Sequence, residues 1–410
     1  MRNIIITLSL GILRFLSAQT TVWTQTAHVD GNQVNGVAFL ANGTKIMSGT
    51  ECHPSVIRHY NTTNGNITFD YALSNNLMCL MGVGFSGNSN HFAVVEEMGN
   101  ILVFDNTLTT PVITSTISMG TSYAFSMDFS PNSQKLIAGG SNGKMQAYRL
   151  SNSSLVFNVN AHSSWVTAVN CSPNNMRIAS GGSDDLVKIW DTTGTLLHNC
   201  IGHTGDVTSV KFTKDNSKLI SASIDDRVRI WDVNNGALLQ TITPTAGDIF
   251  GVDVSPDNNY FATVSNDKLI RIYSTSTYSL IASFGVTSQG IPKCIAWSPS
   301  DVTKIAVGYS NGIVILYNYG TTTRVNEIGN ATPFSAFPNP CTDYLTISGL
   351  PLKTQKITLT DLYGQLIDQI PVKEGETEIN ISNLKINSGV YFINVFADGN
   401  IMTKKLLKVE

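Results

Sequence analysis

Charge is scarce in this sequence. Asp, Glu, Lys and Arg make up 13% of the 410 residues, against about 25% in ordinary soluble domains. Lys and Arg number 26, Asp and Glu 29, and the net charge is −3. That balance excludes a basic arm for nucleic acid and a polybasic membrane patch. Chemistry-bearing motifs are also missing: no GxGxxG opening a helix, no P-loop, no HExxH, no GxSxG and no EF-hand loop. The six cysteines contain no CxxC pair, so zinc-ligand spacing is absent. No cofactor or metal is expected. No apolar run reaches the ~20 residues of a bilayer span. What the chain does have is 42% hydrophobic residues, which excludes disorder. It also has 33 glycines and abundant Asn, Ser and Thr. That mixture suits many short strands joined by turns.

Residues 1–18 read MRNIIITLSLGILRFLSA. Arg2 supplies a positive start, Ile4–Leu13 an apolar stretch, and Ser17-Ala18 small residues ahead of Gln19. This is the pattern of a secretory signal peptide. Arg14 falls late in the apolar stretch, and the competing reading is a buried first strand.

The middle of the chain repeats itself. Lys188-Ile189-Trp190-Asp191 returns as Arg229-Ile230-Trp231-Asp232 and, more loosely, as Arg271-Ile272-Tyr273-Ser274. One aromatic recurs at Tyr60, Phe104, Tyr148, Trp190, Trp231, Tyr273 and Tyr317, at steps of 41 to 44 residues. A second anchor lies upstream in each unit: Phe39, Phe85, Phe129, Cys171, Phe212, Val254 and Trp297, mostly followed by Ser or Ser-Pro. Between the anchors come short apolar runs and tight polar turns such as Asp225-Asp226, with no helical period. Each unit therefore predicts about four strands.

These residues resemble the WD-repeat β-propeller family, which has a period of about 40–45 residues and four strands per blade. The resemblance covers residues 20–318 and implies an all-β, seven-bladed propeller. It also implies that His162, Ser180, Asp184 and Trp190 form a hydrogen-bonded structural tetrad, as do His203, Ser221, Asp225 and Trp231. A buried imidazole needs such partners, so the Ser, His and Asp residues are not read as a catalytic triad. The seventh unit ends at its third strand, Ile313–Tyr317, while Thr20–Thr26 has no blade of its own. We expect the latter to supply the missing outer strand, which removes a sheet edge.

Beyond Tyr317 the pattern stops. Residues 319–333 read as a linker. Phe337-Pro338-Asn339-Pro340 then opens a run of alternating segments: Tyr344–Ser348, Lys356–Leu362, Glu378–Ile381, Val390–Phe396 and Met402–Val409. The alternation predicts a small antiparallel β-sandwich over residues 334–410. FPNP, LTDLYGQ, ISNL, SGVYF and KKLLK, in that order, resemble the C-terminal sorting domain of Bacteroidetes type IX secretion substrates. The resemblance implies an address read by the outer-membrane translocon. It also implies a Gram-negative source and a product that is secreted or attached to the outer-membrane surface. The expected plan is a signal peptide (1–18), a propeller (19–318), a linker (319–333) and a sorting domain (334–410), with no transmembrane segment after cleavage.

Candidate sites follow from the repeat. The residue just ahead of each innermost strand is Gln33, Cys79, Tyr123, Trp165, Asp206, Asp248 and Ile291, one ring at the channel mouth. Tyr123, Trp165, Asp206 and Asp248 are the candidate binding residues, because aromatics anchor interfaces and carboxylates favour a basic or hydroxyl-rich partner. The competing reading is that Trp165 only covers the His162 loop. Cys52 and Cys79 fall on neighbouring blades at that rim, and export permits a disulfide between them. Glu96-Glu97 reads as a solvated turn. The charged residues on innermost strands are Asp128, Lys211, Asp253 and Lys293. We expect a non-catalytic binding or scaffold module with a protein, peptide or glycan ligand. The alternative is a lactone or glycan hydrolase with its active site in the channel.

Overall fold

The structure is a computed structural model that describes residues 20–26, 32–51, 55–73, 79–244, 247–285, 289–319, 334–338, 341–360, 366–373, 375–382, 386–387, 389–397 and 400–408. The signal-peptide reading and Cys52 lie outside the described residues. The chain divides into two compact units, Met1–Gly320 and Thr321–Glu410.

Alternation of apolar and polar residues over five or six positions, cut by tight turns, makes each repeat a four-stranded antiparallel sheet. The first is Val34–Phe39, Lys45–Thr50, Val56–Asn61 and Ile67–Ala72, strands a to d of blade one. The a strands of the other blades are Leu80–Phe85, Ala124–Phe129, Val166–Cys171, Val207–Phe212, Ile249–Val254 and Pro292–Trp297. Each a strand touches the a strand of the next blade, and the last returns to the first, so seven blades close a ring around a channel. Turn chemistry follows from the same repeat. Ser89, Ser133, Asn175, Asn216 and Asn258 take positive φ in the a–b turns, and Asp185 and Asp226 do so in the b–c turns. Asn and Asp tolerate that conformation better than most residues.

Ring closure is as expected. Thr20–Thr26 pairs antiparallel with Ile313–Asn318, completing the sheet of blade seven. Trp23 anchors it. Its indole is buried, lies 5.6 Å from the Tyr60 ring, and donates from Nε1 to the Thr62 carbonyl at 3.1 Å. Gly65, at φ +73°, lies so close to that indole that a Cβ would meet it at 2.9 Å. The seven repeating aromatics of strand c are all buried between blades. Tyr319, assigned above to the linker, instead packs in the propeller, 5.3 Å edge-on to Trp297 and 6.1 Å from Tyr260. Its ring continues the apolar face that begins at Tyr317.

The second unit has two antiparallel sheets. One holds Ser335–Phe337, Tyr344–Ser348 and Glu378–Ser382; the other holds Leu366–Ile370, Thr354–Thr360, Gly389–Ala397 and Asn400–Lys408. Leu345, Ile347, Ile357, Leu359, Ile393 and Val395 meet in its core.

Candidate functional site

The two tetrads lock their own blades. His162 faces Asp184 through Nδ1 at 2.7 Å and Ser180 Oγ through Nε2 at 2.7 Å, while Trp190 Nε1 donates to the same Oγ at 2.9 Å. His203 repeats this with Asp225 at 3.0 Å and Ser221 at 2.7 Å, and Trp231 Nε1 donates to Ser221 at 2.8 Å. Burial pushes the His203 imidazole down to about 4, although Asp225 pulls the other way. The neutral ring meets Asp225 and the Arg229 guanidinium, at 2.6 Å, on its Nδ1 side and Ser221 on its Nε2 side. Burial works against the Asp225 carboxylate too. His203, the Arg229 guanidinium at 2.6 Å and the Thr204 amide outweigh it and hold the group below its ordinary range. Both imidazole side chains are fully buried, which suits a structural role.

Blades outside this pair replace the tetrad. Ser48 Oγ meets Tyr60 OH at 3.2 Å, Tyr148 OH donates to Gln146 at 2.6 Å, and the Tyr309 and Tyr317 hydroxyls bond each other. In blade six Arg271 donates to Ser265 Oγ at 3.0 Å and to Asp267 Oδ2 at 2.5 Å. The guanidinium therefore does the work that a histidine does in blades four and five. Asp267 lies in the b–c turn, as Asp184 and Asp225 do, but its partner Arg271 comes from strand c and not from ahead of strand a, so the tetrad spacing does not reveal it.

The expected ring at the channel mouth exists. The carbonyls of Gln33, Cys79, Tyr123, Trp165, Asp206, Asp248 and Ile291 each accept a bond from the backbone amide just past strand b of their own blade, at 2.7 to 3.1 Å. These seven positions are therefore structurally equivalent. Tyr123 is 38% and Trp165 46% exposed. Phe125, one turn of the pleat inside Tyr123, joins them. Its ring stacks at 5.9 Å on Tyr123 and at 5.0 Å on Trp165, with interplanar angles of 19° and 27°. Phe125 was missed, yet the same count along strand a points to it. Asp206 accepts from Ser183 Oγ at 2.8 Å. Asp185, beside it in the b–c turn, has its carboxyl raised first by burial and then by Asp206, Asp184 and Asp225. Asp248 lies two blades beyond Trp165, half-buried. The ring thus carries an aromatic stack over blades three and four and carboxylates over blades four to six.

Cys79 is disulfide-bonded. Cys171, Cys200, Cys294 and Cys341 are free, and the expected partner, Cys52, lies outside the described residues. Glu96 departs from expectation. It is not a solvated turn residue but the buried end of strand b in blade two, 2% exposed. Burial raises its pKa, and Asn100 Nδ2 donates to it at 3.4 Å.

Inside the channel the charged groups tie blades together. Asp128 accepts from the Cys171 amide and from Asn170 Nδ2, both at 2.8 Å. Asn170 in turn accepts from the Phe212 amide at 2.9 Å, and Asp253 from the Trp297 amide at 2.7 Å. Lys211 lies 3.8 Å from Asp253, and Lys293 sits 3.8 Å above the Phe250 ring.

Comparison with known families agrees with this architecture. A model of the WD domain, G-beta repeat, matches residues 153–191, 194–232 and 236–274. A model of the secretion system C-terminal sorting domain matches residues 335–409. No curated protein matches the chain. A tail of this kind indicates export by the type IX route of Bacteroidetes, to the cell surface or beyond it. No helix among the described residues is long and apolar enough to cross a membrane.

Proposed function

We propose that this chain, a WD-repeat propeller carrying a type IX sorting domain, works outside the cell as a non-catalytic binding or scaffold module. The sorting domain, residues 334–410, engages the outer-membrane translocon. The partner docks at the channel mouth on Tyr123, Phe125 and Trp165, with Asp206 and Asp248 alongside. The observation that carries this reading is the three-ring stack, in which Tyr123 and Trp165 are exposed and Phe125 half-buried. Aromatic surface left open to water at the mouth of a rigid ring is the kind of surface that anchors interfaces. The bond from the Trp165 carbonyl is backbone-mediated, so the exposed indole is not needed to hold its own turn.

The hydrolase reading has less support. Catalytic carboxylates must reach a substrate atom, whereas Asp128 and Asp253 accept amides of the adjacent blade. The test is a pull-down from the native cell surface with wild type and with Tyr123→Ala/Trp165→Ala. The expected result is lost capture with a melting temperature within a few degrees of wild type. Undiminished capture by the double variant would place the partner elsewhere.

A further inference from the structure

The repeat makes one blade junction stand out. Strand b of blade three begins with Lys135, whose Nζ crosses to blade four and donates to the Thr192 carbonyl at 3.0 Å. Lys218 does the same from blade five to the Thr275 carbonyl of blade six, at 2.9 Å. Between blades six and seven the same place is filled by Tyr260 against Tyr319, 6.1 Å apart and edge-on. The equivalent pair between blades two and three is His91 and Leu150. Histidine is too short to bridge, and a cleft of about 480 Å³ opens there. That volume falls in the range of about 300–1,000 Å³ typical of small-molecule sites.

Its lining is mostly hydroxyl-bearing. Thr114, Ser115, Ser133, Ser151 and Ser153 bring hydroxyls, and Leu150 brings apolar surface. Ser115 and Ser153 bond each other across the junction at 2.6 Å. Blades one and five use glycine, Gly65 and Gly236, where Ser153 takes φ +57°. His91 Nδ1 is buried without a hydrogen-bond partner among the described residues, which calls for an explanation.

We infer that this cleft between blades two and three is a binding site for a neutral saccharide. The lining holds no carboxylate, ammonium or guanidinium, so a charged ligand finds no counter-charge. A purely apolar ligand would strip water from the hydroxyls without replacing it. A sugar does neither, because its hydroxyls both donate and accept, as serine hydroxyls do, and its C–H face suits Leu150.

The site lies on the a–b and c–d turn side, at the opposite end of the strands from the channel mouth, and does not rest on the docking reading above. The test is saturation-transfer NMR on the full chain with glucose, galactose, N-acetylglucosamine and lactose as probes. His91→Lys restores the plug used by blades three and five, and Ser115→Leu narrows the cleft independently. Saturation transfer to at least one probe should fall at least tenfold in both variants and persist in Tyr123→Ala/Trp165→Ala. If His91→Lys does not fold, Ser115→Leu decides. No transfer to any of the four sugars, or transfer that survives the substitutions, would overturn the assignment.

Discussion

His59 offers a direct test of how burial controls this fold. It sits one residue before the strand-c aromatic of blade one. The other six blades hold Val103, Ala147, Ile189, Ile230, Ile272 and Leu316 at that position. The His59 side chain is fully buried among Phe69, Phe85 and Phe92, with ring centroids 4.8 to 5.4 Å away. Neither ring nitrogen has a hydrogen-bond partner among the described residues. Burial first, and the nearby Lys45 second, push its pKa down to about 3. The unfolded chain has an ordinary histidine at about 6.5.

Above pH 6.5 both states are neutral and His59 adds no pH dependence. Between 6.5 and 3 the unfolded state takes up a proton that the folded state refuses, so stability falls as pH falls. The slope approaches about 1.4 kcal/mol per pH unit, which integrates to about 2 kcal/mol at pH 5. His59→Ile restores the aliphatic residue of the other blades. It should be at least as stable as wild type at pH 7.5, since it relieves an unpartnered buried group worth about 1–3 kcal/mol. Its advantage should grow by about 2 kcal/mol on going to pH 5. His162 and His203 are shared by both proteins and cancel in the difference. Urea unfolding followed by tryptophan fluorescence reads the propeller alone, because all five tryptophans lie in it. If the two proteins lose stability in parallel between pH 7.5 and 5, His59 is not held neutral by burial and the reasoning fails.

Closure of the ring makes Trp23→Ala costly, by about 3–5 kcal/mol; an unchanged melting temperature would mean the Thr20–Thr26 pairing contributes nothing. Ser221→Ala leaves His203 Nε2 without its hydroxyl partner and Trp231 Nε1 without its acceptor, and should cost about 1–3 kcal/mol for each buried group left unpaired, read by the same denaturation. Peptide mapping of the exported, unreduced protein should find Cys79 linked to Cys52, with Cys79→Ser less stable by about 3 kcal/mol; a free thiol at either position counts against that pairing. Removing residues 334–410 should leave a folded propeller in the periplasm, and normal surface levels of the truncated protein would refute the sorting role.

Much of this fold is legible without coordinates, because it is written in local, periodic terms. The recurring strand-c aromatic set the number of blades, and the leftover Thr20–Thr26 matched a blade that lacked its outer strand. The tetrads of blades four and five could be named because spacing along the chain repeats with spacing in space. In the C-terminal unit the longer alternating segments were found, while Ser335–Phe337 and Leu366–Ile370 were not. The first has only three residues and runs into Pro338, too few for a period to show. Tertiary structure decided what depends on a neighbour from another blade. Phe125 joins Tyr123 to Trp165 of the next blade, while Glu96 is buried at a strand end and Arg271 pairs with Asp267 within its own blade, contacts that the spacing of the repeat does not show. The same holds for His91. Nothing in its own segment marks it, and the cleft beside it is built from residues of two blades.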